Sequence, residues 1–339
     1  MNYLFLYGAP DNNHAFVNIR TDGSAGLTII GTPHVNPFMD DLPGQCRGFC
    51  LAGMAGKQQF NIQFQPDLVI NQIYEPDSHE TALVRADVLC EQLGVPVVNN
   101  PKHILLSRRD HLFLRLQKIA GLQVPDTLRV KPTSPDDIHH TITAGGLRYP
   151  IMIRPAGHPV GAITKVIHES DDLEKASYSY ALDGRPYYLT NLVDYASKDG
   201  LYRKFRLAVI EGRAYLRDYL LAESWMIHAR DRTYMHSKPA LLREAENIHN
   251  RFDNVIWPRI APTIKAITAE LQLDYFTLDA NINPQGEILV FEISAGMDFL
   301  QVDDNEPARH KAVVSDLRNH LYNLIMRKAK QPKDLSPAF

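Results

Sequence analysis

The spacing of apolar and polar residues divides the first third of the chain into short strands and a helix. Residues 3–7 and 67–73 are continuous apolar runs, typical of parallel strands covered on both faces. A helix is predicted from Ser78 to Gly94, because apolar residues recur on one helical face and glycine commonly ends helices. A short strand at residues 95–98 follows, so the pattern predicts a βαβ unit with short connections.

Beyond this unit the pattern changes near residue 106. A helix is predicted from about Arg108 to Gly121, and two strands around a glycine-bearing turn follow Tyr149. An acidic helix is predicted near residues 170–181, and a long helix near residues 254–271. The chain is therefore expected to be α/β (α+β) with three units and a tail. These are an N-terminal open α/β domain (1–106), a central lid subdomain (107–189), a C-terminal mixed α/β lobe (190–330) and a tail (331–339).

Composition narrows the class of protein. The chain has 339 residues, 45% hydrophobic and 22% charged, with a formal net charge of −3, so no overall basic field indicates nucleic acid as a partner. Cys46, Cys50 and Cys90 form neither a paired disulfide framework nor the spacing of a complete zinc site. Without a basic signal sequence or an apolar run of membrane-spanning length, a cytoplasmic protein that binds no membrane is expected.

Two strand-like runs near the C-terminus, residues 273–280 and 287–294, carry the most suggestive carboxylates. Alternation in a hairpin allows Asp279 and Glu292 to meet on one face, with Ser294 on that same side. Such oxygen ligands suit Mg²⁺, which commonly shares them with substrate phosphates. For the hairpin alone, two solvated carboxylates remain the default interpretation.

Three further stretches carry candidate chemistry. A strand ending at Arg154 leads into a glycine-bearing turn, which can lay backbone amides over phosphates while the arginine binds phosphate oxygens. The apolar strand at residues 187–194 enters a polar hinge that could bind an adenine edge, with Asp194 or Asp199 near a ribose. By alternation, Lys204 and Arg206 share one face of the next strand. A plain hairpin, a strand leaving the core and an exposed basic strand are the structural alternatives.

In their order and spacing these pieces resemble the ATP-grasp superfamily, over most of the chain. The resemblance implies that Arg154 occupies the position of an ATP-contacting lysine, and that Gly157 and Gly161 bound the glycine-rich lid. The hinge residues that would contact the nucleotide are Thr190, Asn191, Leu192 and Asp194. Lys204 and Arg206 correspond to the basic residues that face phosphate and acyl phosphate.

The resemblance also implies a metal site and a reaction. Asp279, Glu292 and Ser294 match the family's Mg²⁺-binding set, with serine where asparagine is usual. Arginine at 154 and histidine at 111 replace expected lysines. The implied function is an ATP- and Mg²⁺-dependent ligase that activates a carboxylate as an acyl phosphate for attack by an amine. Arg206 and Lys204 would be the catalytic cations.

The departures keep other functions open. A nucleotide-binding regulatory protein without catalysis would bind ATP and not turn it over, and a metal-dependent hydrolase would need no ATP. Small-molecule or peptide carboxylates and amines are the expected substrates, and a homodimer is the default assembly. Glu75 follows a strand end where α/β sheets often bind ligands, and His228 could accept a proton, although a structural histidine is the commoner case.

Overall fold

The N-terminal unit is an open parallel sheet with the strand order β4-β1-β5-β6. Its elements are β1 (Asn2–Gly8), the small antiparallel pair β2 (Phe16–Ile19) and β3 (Ala25–Thr28), β4 (Gln45–Leu51), β5 (Leu68–Asn71), α1 (Glu80–Leu93) and β6 (Val97–Val98). The computed structural model describes residues 1–12, 16–19, 23–28, 31, 40–52, 60, 62–157, 164–170, 172–228, 231–296, 298–300, 302 and 308–331.

The predicted βαβ unit is present. β5 is fully buried, as its apolar run indicates, and it pairs in parallel with both β1 and β6. α1 buries Ala82, Leu83 and Leu89 and ends at Gly94, which adopts the left-handed conformation with φ 59°. The helix begins one residue later than expected, because His79 rather than Ser78 is its N-cap.

The central unit is an antiparallel sheet with the order β10-β9-β11-β8. The elements from residue 101 to 191 are α2 (Pro101–Leu105), α3 (Arg109–Leu116), β7 (Leu122–Gln123), β8 (Thr127–Val130), α4 (Pro135–Ala144), β9 (Ile151–Pro155), β10 (Lys165–Ile167), α5 (Asp172–Ser177) and β11 (Tyr187–Asn191). α4 starts with a capping box between Ser134 and Asp137 and packs Ile138 and Ile142 into the core of this unit. α3 ends at Leu116, before the predicted end at Gly121, since the chain turns toward β7.

The C-terminal unit is a five-stranded sheet with the order β13-β12-β14-β15-β7. Its elements are β12 (Tyr202–Ile210), β13 (Arg213–Ala222), α6 (Arg232–His236), α7 (Pro239–Arg251), a π-helix (Phe252–Ile256), α8 (Trp257–Leu271), β14 (Tyr275–Ile282), β15 (Ile288–Ser294), a 3₁₀ turn (Asp298–Leu300) and α9 (Ala308–Lys328). β7, which precedes the central sheet in the chain, pairs in parallel with β15 of this unit. None of the helices in the described ranges is long and apolar enough to cross a bilayer.

The prediction of a single long helix near residues 254–271 is wrong about where helical structure begins. Helical structure begins with α7 and passes through a π-helical turn into α8, where the N–H of Trp257 donates to the carbonyl of Phe252. Pro258 has no N–H to donate to a preceding carbonyl, which is a physical reason for the altered turn.

One buried asparagine joins the N-terminal and C-terminal units. Asn99 is fully buried at the end of β6 with φ 52°, and its side-chain amide donates to the carbonyl of Tyr275 at 3.0 Å. Its side-chain oxygen accepts from the backbone N–H groups of Asp274 at 2.8 Å and Tyr275 at 3.2 Å. Asn71 in turn donates to the carbonyl of Asn99 at 3.0 Å. These bonds fix the N-terminal sheet against the start of β14.

Replacing Asn99 by alanine should therefore destabilise the protein. The change removes the side-chain bonds to β14 and leaves a non-glycine residue in a left-handed conformation, so we expect the free energy of unfolding to fall by roughly 2–4 kcal/mol. Urea denaturation followed by tryptophan fluorescence measures the loss. The matched control is Asn100→Ala, which removes only the exposed N-cap bond that the Asn100 side chain accepts from the N–H of Lys102 and should cost about 1 kcal/mol. Equal losses in the two variants would contradict this role.

Candidate functional site

A cleft of about 280 Å³ lies between the central sheet and the C-terminal sheet. The central sheet contributes Met152, Arg154 and the chain from Thr190 to Val193, and the facing sheet contributes charged residues of β12, β14 and β15. Those charged residues are Lys204, Arg206, Asp279 and Glu292. The structure thus brings together most of the site residues expected from the sequence, from strands distant in the chain.

A row of charged side chains crosses four strands at the floor of this cleft. Asp218 on β13 pairs with Arg206 on β12, Arg206 pairs with Asp279 on β14, and Asp279 pairs with Glu292 on β15. Directly opposed residues of neighbouring strands project from the same face, so all four side chains face one way. We call these four residues the charged row.

Two β-bulges set the register of the charged row. On β15, Ala280 pairs with Val290 but Asp279 pairs with Glu292, so Phe291 is the extra residue. On β13 a second irregularity at the same level makes Arg217 the extra residue. Without the first bulge, regular pairing from the turn would put Phe291 opposite Asp279. The two carboxylates therefore meet because of a bulge, and simple alternation would not have aligned them.

Asp279 is held by two cations. Its Oδ2 accepts a hydrogen bond from Lys204 Nζ and its Oδ1 accepts one from Arg206 Nε, each at 3.0 Å. The Asp279 side chain is only 8% exposed. This burial by itself would raise the pKa of Asp279, but the charges of Arg206 and Lys204 outweigh it and hold the pKa below its usual value. Lys204 also donates to the carbonyl of Ile227 at 2.8 Å, which fixes its position.

Glu292 has a partner that the sequence interpretation missed. Arg109, at the start of α3, donates to Glu292 Oε1 at 2.7 Å and to the carbonyl of Phe291 at 2.9 Å. Arg154 lies in the same charged environment, where the positive charge of Arg109 and then burial lower the pKa of Arg154 to about 10, so it stays protonated at neutral pH. The signal available in the sequence was a run of two arginines just before His111.

His111 itself does not line the cleft. Its Nε2 accepts a hydrogen bond from the Arg108 guanidinium at 2.8 Å. The cation that reaches the cleft from this helix is Arg109, two residues earlier. His228 lines the far end of the cleft, where its backbone N–H donates to Asp231 at 2.6 Å.

A second, small cavity adjoins the cleft on the other side of Glu292. Glu292, Arg109 and Arg154 line both spaces, and Ser294 lines only the second. Glu75 enters it from the end of the N-terminal sheet; burial, followed by the charge of Asp77, raises the pKa of Glu75 to about 7. A carboxyl group with such a pKa can exchange a proton near neutral pH.

The hinge residues divide into two groups. Thr190, Asn191 and Leu192 line the cleft, but the side chain of Asn191 is engaged by Asp126 and by the N–H of Arg148, both at 3.0 Å. The N–H of Leu192 donates to the carbonyl of Pro150, so the next peptide group along the cleft belongs to Val193. Asp194 is exposed and is not among the lining residues; its carboxylate accepts from the N–H of Ala196 and from the hydroxyl of Tyr202.

Only the beginning of the expected lid falls in the described part of the chain. Gly157 has φ 71° and lies against Ser78, where an added Cβ would be 3.2 Å from the serine Cβ. A side chain would therefore be disfavoured both by backbone conformation and by the contact. Gly161 lies outside the described residues.

The described cleft can be compared with solved structures. D-alanine–D-alanine ligase from Bacillus anthracis complexed with ATP aligns with a TM-score of 0.52 at 10% sequence identity, over 97% of both chains. Another structure of that enzyme aligns with a TM-score of 0.51 at 12% identity, over 97% of this chain and 99% of that chain. The ATP-grasp ligase PsnB with its minimal precursor gives 0.48 at 14% identity, over 96% and 99%. No protein-family model and no curated protein sequence matches the chain.

The chain has the ATP-grasp fold. The predicted fold class and the resemblance are thereby confirmed. In this ATP-grasp fold the cleft lies between the two antiparallel layers of β8–β11 and β12–β15, with the charged row on the C-terminal layer. This agreement concerns the fold, because the sequence identities are low.

The donor set in this ATP-grasp cleft fits a hard cation in part. Asp279 and Glu292 supply carboxylate oxygens from directly opposed positions, as Mg²⁺ prefers. Ser294 Oγ instead accepts from the N–H of Gly296 at 3.2 Å and faces the second cavity. Across the described ranges, no group of three or more His, Cys, Asp and Glu side chains is arranged to hold a metal. Among the residues expected at a metal site, the two opposed carboxylates are therefore the oxygen donors that line the cleft.

The ion pairs of Asp279 predict a pH-dependent contribution to stability. The pKa of Asp279 is lower in the folded protein, so its stabilising effect is present above the unfolded pKa of about 4 and is lost as the pH falls through the folded pKa. Asp279→Asn should lower the free energy of unfolding at pH 7 by roughly 2–3 kcal/mol, less than for a fully buried pair because Arg206 is 36% exposed. The difference from the parent protein should shrink below pH 4.

Urea titrations at pH 7 and pH 3.5, without nucleotide or metal, measure this difference. Asp253→Asn is the matched control, because Asp253 pairs with Arg213 at the surface and is 70% exposed. It should cost less than about 1 kcal/mol at either pH. An Asp279→Asn loss that does not depend on pH would show that the carboxylate charge is not its cause.

Proposed function

We propose that this protein is an ATP- and Mg²⁺-dependent ligase that activates a carboxylate as an acyl phosphate and joins it to an amine. The observation that carries the proposal is the charged row at the floor of the cleft, where Arg206, Asp279 and Glu292 lie side by side with Lys204 beside them. Arg154 and Arg109 line the same cleft. Five basic side chains and three carboxylates line this space, and this excess of positive charge suits a phosphoryl group more than a neutral ligand.

The nucleotide would lie along the central sheet. Met152, Leu192 and Phe291 supply apolar lining for a base, and the peptide group of Val193 is the one we propose for the adenine edge. Val193 takes the role first predicted for Leu192, because the N–H of Leu192 already donates to the carbonyl of Pro150. The phosphates would then extend toward Arg154 and the charged row. A cleft with one apolar end and one cationic end matches a nucleotide, which has an aromatic base at one end and anionic phosphates at the other.

The cations would act on the transferring phosphoryl group. Arg206 is 36% exposed and can offer its guanidinium to a phosphate while Lys204, 12% exposed, keeps Asp279 in place. Asp279 and Glu292 would hold Mg²⁺, which when bound supplies charge neutralisation on the phosphates. Because these groups are fixed by hydrogen bonds before substrate arrives, little reorganisation is needed as charge develops.

The acceptor amine would approach from the side of the second cavity. Glu75 lines that cavity together with Glu292 and Ser294, and it comes from the edge of the N-terminal sheet where α/β proteins bind ligands. In the proposed reaction a carboxylate oxygen of the acid attacks the γ-phosphorus and ADP leaves. The amine then attacks the acyl carbon, loses a proton and expels phosphate.

The oxygen balance of this reaction provides a direct test. A panel of carboxylates labelled with ¹⁸O is incubated with the protein, ATP, Mg²⁺ and a mixture of amines. The proposal predicts one ADP per amide formed and transfer of one labelled oxygen from the acid to inorganic phosphate. A hydrolase that uses the same carboxylates would release unlabelled phosphate or turn over without ATP. Either result would exclude the ligase.

Removing a metal-binding carboxylate should remove the turnover. We expect Glu292→Gln to lower ADP release by about 10²-fold or more, because the variant loses a charge that positions Mg²⁺ against the phosphates. Coupled measurement of ADP at saturating Mg²⁺ tests this. Glu287→Gln on the same hairpin is the control, since Glu287 is exposed and accepts from Asn283. Unchanged turnover in Glu292→Gln would show that the metal assignment is wrong.

Arg154 should contribute chiefly to nucleotide affinity. A charged hydrogen bond contributes about 1.5–3 kcal/mol, so Arg154→Met should raise the Kd for ATP by about 10- to 100-fold. Arg154→Lys should recover part of the affinity through its charge but not the planar contact. Isothermal titration with ATP and Mg²⁺ measures both. The control is Arg148→Met, an exposed residue of the same unit outside the cleft lining, and equal effects at the two positions would refute the assignment.

A second candidate function is a nucleotide-binding regulatory protein without catalysis. The position of Ser294 favours it, because its hydroxyl accepts from the N–H of Gly296 and lines the second cavity, and Ser294 is not among the residues that line the main cleft. This candidate predicts a thermal shift with ATP and Mg²⁺ but no ADP release with any acid and amine. Ser294→Asn would then be the informative variant. Gained turnover would show that the protein lacked catalysis because residue 294 is serine and not asparagine.

A further inference from the structure

A further cavity, distinct from the cleft and from the second cavity beside Glu292, lies on the opposite face of the C-terminal sheet. It has no part in the proposed ligase reaction. Its volume is about 810 Å³, compared with about 280 Å³ for the cleft. Phe205 forms its floor; it lies between Lys204 and Arg206 on β12, so its side chain projects from the other face of the sheet. Tyr219, opposite Phe205 on β13, stacks edge-on at 4.7 Å. We call this space the rear cavity.

The wall of the rear cavity depends on the π-helix. Val255 and Ile256 of this turn line the space, together with Ile248 from the end of α7. The wider turn, closed by the bond from Trp257 N–H to the carbonyl of Phe252, changes the direction of these side chains relative to a continuous α-helix. Such turns occur frequently at functional sites. The π-helix is thus a second feature, independent of the cavity volume, that distinguishes this place.

The rim of the rear cavity is cationic although the chain as a whole has a formal net charge of −3. Lys198, Arg203, Arg251 and Arg259 line it, against the single carboxylate of Asp199. Arg203 is already paired with Asp199 and with Glu244, each at 2.8 Å, so its charge is neutralised. The side chains of Lys198, Arg251 and Arg259 are exposed around the apolar floor, which leaves an excess of positive charge at the opening.

From this combination we infer that the rear cavity binds an organic anion with an apolar or aromatic body. Small-molecule sites are typically concave, mostly apolar and fitted with a few polar groups that orient the ligand. The body would be desolvated against Phe205, Tyr219 and Val255, and the anionic group would lie between Arg251 and Arg259. Nothing in the ligase proposal requires this site, so each can fail without the other.

Any test must distinguish binding in the rear cavity from binding in the neighbouring cleft. Tyr195 lines both spaces, with its ring 4.6 Å from that of Phe291 on the cleft side. An aromatic anion could therefore also enter the nucleotide cleft. Under the proposed function, saturating ATP with Mg²⁺ occupies the cleft and leaves the rear cavity open, so this step of the test rests on that function.

The test uses 1-anilinonaphthalene-8-sulfonate as the probe, in the presence of saturating ATP and Mg²⁺. We expect one probe molecule per chain by calorimetry, and we expect the double variant Arg251→Glu/Arg259→Glu to raise its Kd by about tenfold or more through charge reversal. N-phenyl-1-naphthylamine, which has a similar body without the sulfonate, should be affected much less by the double variant. Circular dichroism verifies that the variant is folded.

The matched control is Arg243→Glu/Lys265→Glu. These two residues are exposed on the same helices, α7 and α8, outside the rear cavity lining, and their reversal changes the net charge equally. The control should leave the Kd within about twofold, since exposed charges that do not contact the ligand are screened by water and salt. The inference is overturned if both double variants weaken the probe equally, or if neither does. It is also overturned if ATP abolishes all stoichiometric binding.

Discussion

The C-terminal sheet is organised around a buried carboxylate that requires positive charge. Asp279 is 6% exposed in the middle of a five-stranded sheet, where an isolated charge would cost several kcal/mol. Lys204 and Arg206 supply that charge from the neighbouring strand at 3.0 Å. The same requirement fixes where the two cations can lie. The cleft therefore holds its cations in place without any ligand, which the proposed phosphoryl transfer would require.

The rest of the molecule determines which other groups lie beside Asp279 and its two cations. The bulge at Phe291 turns Glu292 toward Asp279, and Arg109 reaches Glu292 from a helix nearly two hundred residues earlier in the chain. Asn99 fixes the N-terminal sheet to the start of β14, which places Glu75 beside the same cleft. Residues from all three units thus meet at one place. A ligase of the proposed kind needs such a meeting point, because nucleotide, acid and amine must be held together.

The two cavities of the C-terminal unit use opposite faces of the same strand. Along β12, Lys204 and Arg206 face the cleft, whereas Phe205 faces the rear cavity. The period of two along a strand separates the chemistry of the two faces while keeping them one residue apart. Tyr195 is in contact with both spaces, so occupation of the rear cavity has a physical route to the hinge side of the cleft.

The sequence by itself determined the elements whose signals are local. The apolar run of β5, the helix ending at Gly94, and the alternating faces of β12 all follow from residues within a few positions of each other. It also supplied Arg154, Lys204, Arg206, Asp279 and Glu292 as candidates, through their order along the chain. Only the tertiary structure decided which of these meet, because a bulge of one residue exchanges the two faces of a strand. Arg109 contacts Glu292, and Asp194 does not line the cleft. Both facts depend on packing between distant segments, which no local pattern encodes.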